Sequence, residues 1–206
     1  MPPKTQFTAG ELTEKAIDLV RASGIDALSA RTLAAAVGCS VKPIFAIFGS
    51  MDGVNAAVIQ QADSIYQGYI QSAIQDSTVP PYKAGGMGYI RFASEEKELF
   101  KLLFMRDRHG ETPAENRESI RPLLTLIQQQ VGIDEDTAYR FHLEMWIYVH
   151  GIATMMATAY LPWDMAFVSE TLTDVYQGLK KRFGEEKHIR RYNRTAHKSV
   201  SRHRRG

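Results

Sequence analysis

Apolar residues recur at three- and four-residue spacing along most of the chain, and glycine or proline falls where the pattern breaks. No segment alternates strictly between apolar and polar over strand length, and no internal repeat is visible. The pattern therefore predicts an all-α chain. Thr8 followed by Glu11 is a capping box, and Leu12, Ala16, Leu19 and Val20 make the stripe of a first helix that Gly24 ends in a left-handed position. Ser29 caps a short second helix with Leu33, Ala34 and Val37 inward, and Gly38 turns the chain. Ser40 caps a third helix, where Pro43 falls in the first turn and its missing N–H does no harm. Ile44 and Phe48 share one side of it, and Gly49 closes it. Ser50 and Asp52 then open a fourth helix.

A break at 77–81 precedes further helical segments expected at about 82–94, 95–105, 114–131, 135–159 and 165–183. Leu161-Pro162-Trp163 separates the last two. The expected organisation is a helix-turn-helix unit at 1–54 continued by a linking helix over 51–76. A helical bundle follows at 77–184, with a basic tail without regular structure at 185–206.

Charge sharpens that division. From Lys180 onward the chain carries 11 Lys and Arg against 2 acids, a net of +9, while the remaining 14 basic and 21 acidic residues give −7. Such a tail is either a solvated extension or an auxiliary contact for phosphate. The first 60 residues balance in charge and show no basic face of the kind DNA-binding domains usually carry.

Composition narrows the function classes. No run of about 18 apolar residues exists, and the N-terminal residues lack an apolar secretory core, so a cytoplasmic protein without a membrane span is expected. The single cysteine, Cys39, rules out a disulfide within one chain and reads as packing. His142, Glu144 and His150 share one helix but are too few and too far around it for a metal site. No nucleophile elbow, phosphate loop or carboxylate pair appears, so no enzyme, cofactor or metal is expected. Asp134-Glu135-Asp136 reads as helix capping.

What remains is the pair of short helices around Gly38, a helix-turn-helix. Leu33, Ala34, Val37, Cys39, Ile44 and Phe48 would hold its angle. The run Ser29-x-Arg31-x-Leu33-Ala34, Gly38-Cys39-Ser40 and Ile44-Phe45-x-x-Phe48-Gly49-Ser50 resembles the TetR/AcrR family over residues 8 to about 60. Downstream, Trp146-x-x-x-His150-Gly151 is similar to a signature of one C-terminal subgroup of that family. The resemblance implies a homodimeric transcriptional regulator, most often a repressor released by a small ligand, acting on a near-palindromic double-stranded operator. It implies a DNA face made of Ser29, Arg31, Ser40, Val41, Lys42, Pro43, Phe45, Ala46, Ile47 and Met51. It also implies a ligand cavity, for which Phe104, Met105, Trp146 and His150 are the candidates, and a dimer interface on the last two long helices. Apolar spacing there selects Ile152, Met156, Leu172, Val175, Tyr176 and Leu179.

Three departures bear on the DNA face. Phe45 stands where the family usually has tyrosine, Ile47 where a polar residue or histidine is common, and Met51 where lysine is usual. Lys42 is the only charge left on the third helix. Fewer phosphate contacts imply weaker, less salt-dependent binding, with apolar contact to thymine methyls in their place. The alternative is a helical ligand-binding or protein-interaction module that has lost DNA binding.

Overall fold

The computed structural model describes residues 7–76, 78–107, 109 and 117–203, with side chains up to residue 185. Among these residues the regular structure is helical: α1 (Ala9–Ser23), α2 (Ala30–Val37), α3 (Val41–Phe48), α4 (Met51–Gln75), α5 (Pro81–Glu95), α6 (Lys97–Phe104), α7 (Arg121–Val131), α8 (Glu135–Ala157) and α9 (Met165–His203), with one 3-10 turn at Ile25–Ala27.

Local chemistry sets the first helices. The Glu11 amide donates to Thr8 Oγ1, and the Glu11 carboxylate accepts from the Thr8 amide, which completes the expected capping box. Leu12, Ala16, Ile17 and Val20 are buried, whereas Leu19 is only half-buried; Ile17, not Leu19, completes the inward stripe. Gly24 ends α1 at φ 76, ψ 170, a positive φ outside the left-handed helical region. Ser29 caps α2 by accepting from the Thr32 amide, and Gly38 ends it at φ 69, ψ 34. A Cβ at that left-handed position costs about 1–2 kcal/mol, so glycine fits the turn.

The chain forms two compact units. The first comprises residues 1–109 and 152–162, the second residues 110–151 and 163–206. Helix α8 thus contributes to both. In the first unit α1 packs on α2, α4 and α6, and α4 packs along α5. Leu33 and Ala34 of α2, Ile44 of α3, and Val54, Val58 and Ala62 of α4 join the α1 stripe in its core. A second cluster holds Tyr66, Tyr69, Tyr89, Phe92, Phe100 and Phe104, with ring centroids 5.1–6.4 Å apart and several edge-to-face pairs. The functional segments expected to part near residues 54 and 77 are therefore not separate compact bodies, because α1–α6 pack as one.

Within the second unit, Phe141 of α8 meets Tyr176 edge-to-face at 5.3 Å and Phe183 at 5.8 Å, both on α9. Arg182 grips Glu144 with two hydrogen bonds of 2.9 Å. Asp134 accepts from the Thr137 amide at 2.8 Å, the capping role its position suggested. The backbone of α9 stays helical to His203, in place of the irregular tail expected from residue 185. No proline interrupts it, and its Glu, Lys and Arg residues are good helix formers. Residues 204–206 of that tail lie outside the described residues.

Candidate nucleic-acid interface

Helices α2 and α3 meet across the Gly38-Cys39-Ser40 turn with a bend of 113° between their axes. That lies in the range of about 90–120° shown by helix-turn-helix pairs. Leu33, Ala34 and Ile44 are buried and hold the angle, while Val37, Cys39 and Phe48 are half-buried at its edge. Cys39 is therefore less enclosed than a packing residue was expected to be; its Sγ donates to the Ser40 carbonyl at 3.1 Å.

The outward surface of α3 is apolar. Val41 is 37% exposed, Phe45 39% and Ile47 38%, and Ala46 is exposed beside them. Eight residues cannot bury more than one side against the unit behind them, and Ile44 takes that side. Lys42 and Arg31 are exposed, and neither forms an ion pair among the described residues. Pro43 is half-buried, as is Met51 in the first turn of α4.

Two serines on the expected face differ. The Ser29 hydroxyl is spent on Thr32, as acceptor from its amide at 3.2 Å and in a 3.1 Å contact with its hydroxyl. Ser29 is thus a cap first. Ser40 is exposed and makes no side-chain capping bond, so its hydroxyl stays available.

The expected ligand residues fall into two separate groups. In the first unit, Phe104 is half-buried against Tyr66, Tyr89 and Phe100, while Met105 is exposed. In the second, Trp146 and His150 stack face to face at 5.0 Å, with 10° between their planes. Burial lowers the His150 pKa from its ordinary value, which favours the neutral ring.

The expected interface residues also divide. Ile152, Met156 and Leu172 are buried within a single chain and are core residues, unable to offer area to a second copy. Val175 and Leu179 are half-buried, and Tyr176 donates to Gln130 at 3.3 Å. The exposed apolar side chains of α8 are instead Ile147, at 64%, and Met155, at 37%.

A surface depression of about 620 Å³ opens in the first unit between Arg21–Ser23 of α1 and Glu95–Glu98 at the α5–α6 junction. Apart from Lys97, its charged side chains are engaged. Arg21 donates to both Glu96 oxygens at 2.6 and 2.8 Å, Glu95 accepts from Arg91 and Tyr69, and Glu98 accepts from Lys101. The depression reads as a fastened joint. Sequence spacing gave no hint of it, since its partners lie 75 residues apart.

Among the described residues no three His, Cys, Asp or Glu side chains are placed to hold a metal, and no single helix is long and apolar enough to cross a membrane. Residues 82–176, which include the Trp146, His150 and Gly151 triplet, match the family model described as the tetracyclin repressor-like C-terminal domain. Over those residues, a little under half of the chain, the sequence is similar to the C-terminal domain of TetR-type proteins. No curated protein matches its sequence. Its fold is similar to that of a TetR-like transcriptional regulator from Rhodococcus sp. RHA1, with a TM-score of 0.60 and 15% identity over 81% of this chain and 91% of that one. A protein of unknown function from the same source superposes with a TM-score of 0.61 and 19% identity, over 87% and 96% of the two chains. A TetR family member from Streptomyces coelicolor A3 gives 0.55 and 20%, over 80% and 95%. At such identities the TetR-family neighbours speak for the fold.

Proposed function

We propose that this protein is a homodimeric repressor of the TetR family that sets two copies of α3 in successive major grooves of a near-palindromic operator and lets go when a small apolar ligand binds in its C-terminal helices. The observation that carries the reading is the 113° helix pair with Val41, Phe45 and Ile47 exposed on α3 beside unengaged Lys42 and Arg31. Such a face reads thymine methyls by apolar contact and leaves few cations for phosphate. Arg31, Ser40, Val41, Lys42, Pro43, Phe45, Ala46, Ile47 and Met51 remain the residues that would touch DNA, with Ser29 as the cap that orients α2.

For the second copy, the supporting feature is one stripe of α8. Ile147, Gly151 and Met155 lie within about 80° of one another around the helix, and Thr158 follows directly after its last residue. Ile147, Met155 and Thr158 are exposed, and a Cβ at Gly151 would meet open space. For the ligand, the half-buried Phe104 in its aromatic cluster and, separately, the Trp146–His150 stack supply flat apolar walls with polar edges.

The same exposed side chains on α3 favour a second reading, a module of this fold that binds protein in place of DNA. Titration by fluorescence anisotropy against duplex DNA flanking the chain's own gene, at two salt concentrations, decides. The proposal expects selective binding over random duplex, abolished in Arg31→Ala/Lys42→Ala and weakened about tenfold or more in Phe45→Ala, the scale of one good base-edge interaction. Equal affinity for random and flanking duplex would remove α3 as a reader and leave the second reading.

A further inference from the structure

The sequence after Glu186 contains eight Lys and Arg and no acid. The backbone there is helical to His203, so these residues have a definite register. At 100° per residue, Lys187, Arg190, Arg191, Arg194, Lys198 and Arg202 all fall within an arc of about 120°. Ile189, Tyr192, Ala196 and Val200 fall on the opposite side of the register. A merely soluble extension has no reason to sort its charges this way. Six cations along about 22 Å of helix, at 1.5 Å per residue, give close to one per 4 Å. One strand of B-DNA carries a negative charge about every 3.4 Å of axis.

We propose that residues 187–203 form a basic helical arm that binds the phosphates of double-stranded DNA without regard to sequence. The partner is a phosphate backbone, because the register sets a linear row of charged positions at matching density. An anionic bilayer fits less well. Helices that lie in a membrane surface bury Trp, Phe and Leu, and the apolar side of this register holds none of the three. The arm answers a deficit elsewhere in the chain, since α3 carries a single cation. The claim stands whether or not α3 reads sequence.

The experiment uses the full chain and a random-sequence duplex, with affinity followed from about 50 to 200 mM salt. In Arg190→Gln/Arg191→Gln/Arg194→Gln/Lys198→Gln, the slope of log affinity against log salt should fall by about 0.9 for each phosphate no longer neutralised, so by about 3–4 in all. Replacing the three arginines by lysine should leave affinity within about threefold, because phosphate here is read as charge alone. Circular dichroism of both variants checks that the helix persists. Failure of the α3 reading would show separately, as equal affinity for flanking and random duplex with the arm's slope intact. An unchanged slope in the glutamine variant overturns the proposal. So does a wild-type chain that binds phosphatidylserine vesicles and not the random duplex.

Discussion

His142 lies on a part of α8 that water scarcely reaches, and burial pushes its pKa down to about 4. An unfolded histidine titrates near 6.5. Between those values the unfolded chain binds a proton that the folded chain does not, so stability falls as the pH drops from 6.5 toward 4 and is unaffected by this group above 6.5. The loss approaches about 2–3 kcal/mol at pH 4.5. Urea denaturation at pH 7 and pH 4.5, for the wild type and His142→Phe, should show a smaller acid loss in the variant; equal losses would mean that His142 is not the group responsible. His150 acts in the same direction. At this scale the sequence is legible where a residue's job is local. Thr8, Ser29, Gly38 and Asp134 cap and turn as their neighbours in the chain require. It is illegible where the job depends on a distant partner. Ile17 and Leu19 are two steps apart on one helix, and only what packs against α1 decides which of them is buried.

Helix α5 approaches α4 through Gly88. A Cβ there would lie 2.9 Å from both the Tyr69 carbonyl oxygen and the Ala73 Cβ. Neither atom can swing away, so Gly88→Ala should cost about 1–3 kcal/mol in overpacking, less up to about 1 kcal/mol gained in helix propensity. Gly85, one turn earlier, has nothing within 4 Å of a Cβ, and Gly85→Ala should gain up to about 1 kcal/mol. Thermal unfolding should therefore move in opposite directions, by about 2–4 °C for each kcal/mol. A rise in both melting temperatures would mean that α4 and α5 do not meet so closely. Nearly every element was visible in the hydrophobic period, and the caps placed most boundaries within a residue or two. Helix α7 begins at Arg121, later than the expected 114, because a proline at its second position suits a helix start. The exposed apolar stripe of α8 lies about 120° around the helix from the residues that spacing selected. Period reveals that α8 has apolar sides, but Ile152 and Met156 face inward while Ile147 and Met155 face out.

For the whole molecule, the exposed stripe of α8 gives the oligomeric state its test. An Ile147→Asp/Met155→Asp variant puts two charges where the proposal seats a second copy. Sedimentation should then show a monomer of normal helicity that no longer distinguishes a palindromic site from one half of it. A variant that stays dimeric would move the interface elsewhere. The all-α class was legible from the apolar period along the chain, and the place of the helix-turn-helix from residues 8–60. The grouping of helices into bodies was not, since periodicity records that a helix has an inner side and not which helix it meets. The α1–α6 joint, held by Arg21 on Glu96, left no trace in local spacing.

The division of α8 has a genetic consequence. Each compact unit is assembled from two stretches of chain, and those stretches alternate along it. A break between any two neighbouring codons therefore splits at least one unit. Recombination by a single crossover cannot trade the second unit of this protein for that of a cousin without carrying off part of the first. Exchange of that unit intact needs three crossovers, one ahead of residue 110 and one on either side of residues 152–162. Substitution within the helices leaves both units whole, whereas a single cut-and-join does not.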